Sequence, residues 1–142
     1  MEFTLDDINV ESFPEISQAL TAFDPNSIGD SLQKQATVYS YCYSLMAQAK
    51  RQLDDLERSK TRLAAVLRSG HRTSHTGSKK LTAKDLDDLV DADDSYIQCL
   101  TDVTDAELIY ELLKGLVRAL EQKKDMLIQA SSNQRAEAKL YN

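Results

Sequence analysis

The sequence is poor in the residues that break or crosslink a chain. Its 142 residues include two prolines, four glycines, two cysteines and no tryptophan. Few prolines and glycines leave long stretches free to form helices, and no strand pattern of any length competes with them. Because Cys42 and Cys99 are only two and lie far apart, we expect reduced, buried thiols in a cytoplasmic protein rather than a disulfide framework.

The sequence also lacks the signatures of membrane proteins and of enzymes. No apolar run approaches the roughly 20 residues of a membrane span, and the N-terminus has no basic or apolar region of a secretory signal. There is no Cys-x-x-Cys pair, no Gly-x-Gly or Walker loop, and no serine in a glycine elbow. His71 and His75 lie in a glycine-flanked loop and are poor candidates for metal ligands. We therefore expect a protein that is not an enzyme, with no cofactor and no metal.

The strongest structural pattern runs from about Leu32 to Ser69, where there is neither glycine nor proline. Mostly apolar residues recur there in steps of three and four, close to the spacing of about 3.5 that a coiled coil requires. We call this row the seam; it contains Tyr39, Cys42, Met46, Ala49, Leu53, Leu56, Lys60, Leu63 and Leu67. Gly70 is predicted to end the helix, because glycine enters the left-handed cap conformation at low cost.

A second helical segment follows a polar loop. Residues 70–81 are small, polar and basic, and predict a mobile loop with nothing to bury. Thr82 followed by Asp85 three residues later is the pattern of a helix start, because the threonine oxygen can accept from an unpaired amide and the aspartate suits the positive end of the helix. From Ala83 to about Ser131 the apolar period is helical again.

The expected fold class is all-α: a long antiparallel, coiled-coil-like helical hairpin with a short N-terminal helical arm. We expect an acidic arm over residues 1–31, in which Pro14 starts a short helix, a hairpin domain over 32–131 and a polar tail over 132–142. A hairpin this slender has little interior, so we expect a homo-oligomer. The expected oligomer-interface residues are Tyr39, Met46, Leu53, Leu56, Leu63, Leu116, Leu120 and Leu127.

Between Glu57 and Asp85 there is no acidic residue, although the chain as a whole carries a net charge of −6. We call residues 58–84 the basic segment; its cations are Arg58, Lys60, Arg62, Arg68, Arg72, Lys79, Lys80 and Lys84. Charge sorted this sharply is typical of a surface that meets a polyanion, usually nucleic acid, and these eight are the candidate DNA-binding residues. A solvated face paired with acidic residues of the same chain is the alternative, and the residues alone leave both open.

An acidic stretch follows the basic segment directly. We call its first part the acidic block; it consists of Asp85, Asp87, Asp88, Asp91, Asp93 and Asp94. The block lacks the glycine turn and terminal glutamate of a calcium-binding EF-hand loop. We interpret it as a solvated helical face, with a docking surface for the basic segment of a neighbouring subunit or for a partner protein as the alternative.

Three tyrosines, Tyr39, Tyr41 and Tyr43, crowd one turn of the first long helix. We interpret them as packing residues, since a tyrosine ring suits a half-buried contact. Stacking on the bases of a single strand is the alternative. The distance of more than a dozen residues from the basic segment favours packing.

Several stretches occur in an order that resembles a known family. They are a tyrosine pair, a charged Leu-Glu stretch, a Ser-Gly helix end, an aspartate-rich stretch with a tyrosine, and two parts of a final helix: residues 39–41, 53–60, 69–70, 93–96, 107–115 and 119–127. This order resembles the UvsY family of phage recombination mediators, small helical proteins that help a RecA-like recombinase load onto single-stranded DNA. The likeness spans roughly residues 32–131.

The resemblance implies a homo-oligomeric ring, single-stranded DNA wrapped on basic residues, and contacts with a RecA-like recombinase and a single-strand-binding protein. It implies the cytoplasm of an infected host cell if the protein is phage-encoded, and a role in DNA recombination and repair. The family's DNA contacts correspond by position to Arg58, Lys60, Arg62 and Arg68. The other hypothesis is an oligomeric helical scaffold or adaptor that does not bind nucleic acid, in which the charges set subunit register.

Overall fold

The computed structural model describes residues 3–142, which form helices joined by short connections. The elements are a 3-10 turn at Leu5–Asp7, helix α1 at Phe13–Thr21, a 3-10 turn at Pro25–Ser27, helix α2 at Ile28–Ser74, helix α3 at Ala83–Asp91 and helix α4 at Asp94–Leu140. The described residues contain no strand. The expected all-α class is therefore confirmed.

Helix α2 is longer than predicted at both ends. It begins at Ile28, directly after a 3-10 turn in which the Asp24 side chain accepts a hydrogen bond from Asn26 N at 2.9 Å. It ends at Ser74 and contains Gly70, whose φ is not positive. The prediction that Gly70 ends the helix is wrong, because the cost of about 1 kcal/mol for an internal glycine is small within a helix of 47 residues.

The predicted second helix is divided in two. Helix α3 ends at Asp91, and Asp93 Oδ1 then accepts hydrogen bonds from the backbone N–H groups of Ser95 at 2.9 Å and Tyr96 at 3.2 Å. This side chain satisfies amide groups that the first turn of α4 leaves without an intrahelical partner. The prediction of one continuous helix from Ala83 is therefore wrong between Asp91 and Asp94.

Helix α4 continues to Leu140, so the polar tail expected over residues 132–142 is helical for most of its length. Residues 132–140 contain neither glycine nor proline and are rich in Ala, Glu, Gln, Lys and Arg, which favour helix. Gln134 Nε2 also donates a hydrogen bond to Pro25 O at 3.2 Å. The polar composition of the tail reflects an exposed helix rather than an irregular end.

One compact unit is built from both ends of the described chain, residues 3–49 and 109–142. Its core is a cluster of apolar side chains from α2 and α4, joined by one residue before α1. The buried members are Ile8, Cys42, Leu45, Ala49, Leu113, Leu116, Val117 and Leu120. Burial raises the pKa of the Cys42 thiol to about 11, so the thiol is protonated at neutral pH and packs as a small apolar residue.

Two long-range hydrogen bonds show that α2 and α4 run antiparallel in this unit. Near the end of α4, Gln134 bonds Pro25, just before α2 begins. Further along α2, Gln35 Nε2 donates to Leu120 O at 2.7 Å. The partners on α4 move towards its N-terminus as those on α2 move towards its C-terminus, which confirms the predicted antiparallel hairpin.

The N-terminal arm packs onto the hairpin of this unit. Pro14 lies in the first turn of α1, as predicted, where its missing N–H costs no intrahelical bond. The Phe3 ring meets the Tyr41 ring edge-on with centroids 5.6 Å apart, and the Tyr41 hydroxyl donates to Phe3 O. Lys123 Nζ donates to Leu20 O at 2.8 Å near the end of α1, and burial lowers the pKa of Lys123.

The second compact unit is Lys50–Leu108, which contains the later part of α2, helix α3 and the first turns of α4. Its apolar core is small. The buried side chains are Leu53, Ala64, Leu86, Val90 and Val103. None of the helices within residues 3–142 is long and apolar enough to cross a membrane.

The structure divides the expected oligomer-interface residues into two groups. Leu53, Leu116, Leu120 and Leu127 are at most 6% exposed within the single chain, so they offer no surface to a second copy. The partly exposed residues of the set are Tyr39, Met46, Leu56 and Leu63. At these four leucines the regular apolar spacing therefore reflects packing inside one chain.

Candidate nucleic-acid interface

The basic segment lies entirely within the unit Lys50–Leu108. Five of its cations are on α2, two are in the loop after it and one is in the first turn of α3. All eight are exposed except Lys60 and Arg68, which are partly buried. The basic segment is thus a surface feature that covers the end of the long helix α2, the following loop and the start of the short helix α3.

Helical geometry brings four of the arginines to one side of α2. At about 100° per residue, Arg58, Arg62, Arg68 and Arg72 fall within an arc of about 120°. Lys60 lies on the opposite side of the helix, the side that also carries the buried Leu53 and Ala64. The structure therefore separates Lys60 from the arginine row, although the sequence grouped them.

Arg58 takes part in a local ion pair. Its Nη2 lies 2.5 Å from Asp55 Oδ1, and its Nε donates to Asp54 O at 3.4 Å. Both side chains of the ion pair are more than half exposed. Exposed pairs of this kind contribute little, about 0 to 1 kcal/mol, so Asp55 does not prevent Arg58 from contacting a phosphate.

Arg68 makes the one ion pair between the basic segment and the acidic block within residues 3–142. Its Nε and Nη2 donate to Asp87 Oδ1 at 3.1 and 2.8 Å, which links the end of α2 to α3. Pairing within the same chain, which the sequence left open, therefore applies to Arg68. Arg62, Arg72, Lys79, Lys80 and Lys84 have no ion pair within that same range of residues.

The loop after α2 forms a basic groove of about 390 Å³. Its lining residues are Arg72, His75, Gly77, Lys79, Lys80 and Leu81. His75 Nε2 lies 2.6 Å from Lys79 O and therefore holds the loop as an N–H donor. The sequence analysis considered His75 only as a metal ligand. Its spacing of four residues from Lys79 was the one sign in the sequence of the hydrogen bond that holds the loop.

Half of the acidic block serves local structure. Asp87 pairs with Arg68, and Asp93 caps α4. Asp85 accepts a hydrogen bond from Thr82 N at 2.9 Å, which lowers the pKa of Asp85, and the Thr82 hydroxyl accepts one from Asp85 N at 3.1 Å. The predicted helix start at Thr82 is confirmed. No group of three or more metal-ligating side chains occurs in the part of the chain that the structure describes.

Comparison with known proteins adds a structural relative. No protein-family profile and no curated protein matches the sequence. Among solved structures, the recombination mediator protein UvsY of bacteriophage T4 superimposes with a TM-score of 0.74 over 92% of this chain and 98% of that one, at 12% sequence identity. The chain has a UvsY-like fold. The expectation drawn from the order of the sequence stretches is thereby confirmed for the fold.

This UvsY-like fold carries the basic segment on the last turns of α2 and in the loop to α3. The arginine row and the basic groove share Arg72, so the exposed cations form one continuous stretch along the chain. A surface of exposed guanidinium and ammonium groups suits contacts to the backbone of a polyanion.

Proposed function

We propose that this protein is a non-enzymatic recombination mediator that binds single-stranded DNA through its basic segment and helps a RecA-like recombinase load onto it. The observation that carries the proposal is the row of arginines on one side of α2, continued by loop lysines that have no ion pair within residues 3–142, on a UvsY-like fold. The proposal includes loading of the recombinase onto DNA that is covered by a single-strand-binding protein.

Binding through phosphates requires exposed cations rather than a deep pocket. Each cation that neutralises a phosphate releases a counterion, so affinity depends on the number of exposed cations and falls with salt. Such contacts position the protein without reading bases, and binding is expected to tolerate any sequence. We expect Arg62, Arg72, Lys79, Lys80 and Lys84 to contribute most, because they are exposed and have no ion pair within residues 3–142. Lys60, on the opposite side of α2, is expected to contribute least.

A homo-oligomer would strengthen the binding without new contacts. Several basic segments held together give an effective concentration that raises affinity for a long strand. Of the expected interface residues, Met46, Leu56 and Leu63 have apolar surface left exposed by the chain itself. We propose that these three take part in subunit contacts, with the subunit number open to measurement.

The second candidate function is a helical scaffold or adaptor that does not bind nucleic acid. The Arg68–Asp87 ion pair favours it, because that contact uses a basic-segment arginine to hold two helices together. The two candidates differ in what a charge reversal does. It removes DNA binding in the first and changes assembly or stability in the second.

The test is a triple variant, Arg62→Glu with Lys79→Glu and Lys80→Glu, measured for single-stranded DNA affinity and for oligomeric state. The proposal predicts a loss of affinity of at least tenfold with unchanged sedimentation, because three phosphate contacts become repulsions. The matched control reverses Arg118, Arg135 and Lys139, which lie outside the basic segment, and it should bind nearly as wild type does. Equal losses in both triple variants would overturn the proposal.

Loading is tested separately from binding. A RecA-like recombinase is mixed with single-stranded DNA covered by single-strand-binding protein, and its DNA-dependent ATP hydrolysis is followed with and without this protein. The proposal predicts a shorter lag with wild type and no effect of the triple variant. Tight DNA binding without any change in the lag would limit the function to DNA binding.

A further inference from the structure

The first turns of α4, within the unit Lys50–Leu108, carry apolar side chains on their solvent-facing side. At about 100° per residue, four residues fall within an arc of about 80° on this side. The exposed fractions of its large side chains are 47% for Ile97, 40% for Leu100 and 43% for Leu108. The partly buried Cys99 and Ala106 lie on the opposite side of the helix. We call the exposed row the outer stripe; it consists of Ile97, Leu100, Thr104 and Leu108.

The polar groups along the outer stripe are satisfied within α4 itself. The Thr104 hydroxyl donates a hydrogen bond to Leu100 O at 2.9 Å. The Thr101 hydroxyl, at the edge of the stripe, donates to Ile97 O at 3.2 Å. The stripe therefore needs no polar partner along its length.

The spacing of the outer stripe is that of a helix contact. Its members follow one another at steps of three, four and four residues, the steps by which one helix packs lengthwise on another. From first to last the stripe is about 16 Å long, or about three helical turns. A helix with apolar side chains on both sides is ordinarily covered on both sides, so the stripe is suited to a second helix.

Carboxylates lie along both edges of the outer stripe. Asp94 and Asp105 lie beyond one edge and Glu107 lies beyond the other, and all three are exposed. None of these three carboxylates forms an ion pair within residues 3–142. Residues 85–113 contain no lysine, arginine or histidine that could offset them locally. A partner that brings cations to these edges would therefore be favoured.

From this arrangement we propose that the outer stripe is a docking surface for a basic amphipathic helix of a protein partner. The partner helix places aliphatic side chains, spaced by three or four residues, on the outer stripe. Its flanking lysine or arginine side chains meet the three carboxylates. The carboxylates repel phosphates, so this surface serves a protein and does not rest on the proposed DNA binding.

A second copy of this chain fits the outer stripe less well than such a partner. Two outer stripes facing each other would bring carboxylates close to carboxylates, which is unfavourable. The arginine row of a neighbouring copy has the complementary charge but little apolar surface. Along α2 from Lys50 to Ser74, Val66 is the only large apolar side chain that is well exposed. One such side chain does not cover a stripe of three.

The test is fluorescence anisotropy of a labelled peptide of leucine and lysine, titrated with the full-length protein. The peptide has about 14 residues, and its leucines form one stripe when it is helical. The proposal predicts saturable binding of one peptide per chain, weakened at least tenfold by Ile97→Gln with Leu108→Gln. Glutamine favours helix, and both positions are exposed, so the fold should be retained.

The matched control is Met126→Gln with Ile128→Gln, which removes two similarly exposed apolar side chains from a later part of α4 and should leave the affinity unchanged. A peptide of the same composition with its leucines spread over all sides should bind at least tenfold more weakly. The charge is tested by Asp105→Asn with Glu107→Gln, which should weaken binding and reduce its salt dependence. Asp6→Asn with Glu11→Gln removes the same charge from the N-terminal arm and should have little effect.

Three outcomes would overturn the assignment. Absence of saturable binding to the wild type would remove the docking surface. Equal weakening by the two pairs of apolar substitutions, or equal binding of the two peptides, would show general attraction of a cationic peptide to an acidic protein. A smaller sedimentation coefficient of the Ile97→Gln, Leu108→Gln variant without peptide would assign the outer stripe to contacts between copies of this chain. Affinity for single-stranded DNA, measured on the same variant, reports separately on the proposed function.

Discussion

Cys42 shows how position in the helix pair sets the chemistry of one side chain. It is fully buried in the cluster of α2 and α4, whereas Cys99 is partly exposed. Burial raises the pKa of the Cys42 thiol because the thiolate would lose its hydration. The thiolate is the reactive form, so the two cysteines are expected to react at different rates in the folded protein.

We predict that iodoacetamide at pH 8 modifies Cys99 in the native protein and Cys42 only after unfolding, as read by mass spectrometry of the peptides. Because the pKa of Cys42 is about 11 when folded and 9.0 when unfolded, the unfolded state releases its proton first as pH rises. Stability therefore falls between pH 9 and 11, and it falls less steeply in Cys42→Ala. Equal modification of both cysteines in the native protein would contradict this account.

Whether a residue's role could be predicted depended on the sequence distance to its partner. Thr82 and Asp85 are three apart, and their reciprocal bonds follow from the pattern of a helix start. Gln35 bonds Leu120 across 85 residues, and nothing in its own neighbourhood marks it as buried. The spacing of apolar residues placed Lys60 on the seam, and the structure confirms that Lys60 lies on that face of α2. Its separation from the arginine row follows only when the angle of about 100° per residue is taken into account.

At the scale of the element, side-chain hydrogen bonds at the N-termini of α3 and α4 determine where these two helices begin. Thr82 begins α3 and Asp93 begins α4 through the same kind of bond, a side-chain oxygen accepting from an early backbone N–H. Asp93-Asp94-Ser95 carries a capping pattern that the apolar period of the second segment obscured. Charge-rich stretches thus contain structural signals that periodicity alone does not reveal.

We predict that Thr82→Ala destabilises the protein by about 1 kcal/mol, because an amide of the first turn of α3 loses its acceptor. The control is Thr76→Ala in the loop, whose hydroxyl makes no hydrogen bond within the described residues and which should be neutral. Because the pKa of Asp85 is lowered in the folded protein, the stabilisation that its ionised carboxylate gives to the cap is present above about pH 4 and is lost as pH falls further. Urea unfolding at pH 7 measures the first effect and a series down to pH 3 the second.

Gly70 gives a second test at this scale. It lies in α2 without a positive φ, and a Cβ built there meets nothing within 4 Å. Gly70→Ala is therefore expected to stabilise the protein by about 0.5 to 1 kcal/mol, measured as a shift in urea midpoint. The control is Gly77→Ala, where the Cβ would lie 2.8 Å from the His75 ring and should give no gain. Destabilisation by Gly70→Ala would show that the helix ends there after all.

At the scale of the whole molecule, composition and period were enough to predict an antiparallel all-α hairpin. They were not enough to separate contacts within the chain from contacts between chains, because Leu116 and Leu63 obey the same spacing. Only the packed structure shows that Leu116 is 1% exposed while Leu63 keeps apolar surface. The block pattern of charge likewise predicted a basic surface but not that Arg68 is paired with Asp87.

The basic segment is the part of the molecule on which the proposed function depends. The net charge of −6 does not oppose this, since the row of arginines and the loop lysines concentrate positive charge in one segment of the chain. Exposed charges beyond about 8 Å are largely screened at physiological salt, so local charge decides binding. Affinity should therefore follow the count of accessible cations in the segment.

The most direct measurement is the fluorescence anisotropy of a labelled single-stranded oligonucleotide titrated with the wild-type protein over a series of salt concentrations. Four to six phosphate contacts predict that the logarithm of the association constant falls against the logarithm of salt with a slope of about −3 to −4. A second oligonucleotide of unrelated sequence should give the same slope. Absence of binding at the lowest salt, or a slope near zero, would contradict the central claim and leave a helical scaffold.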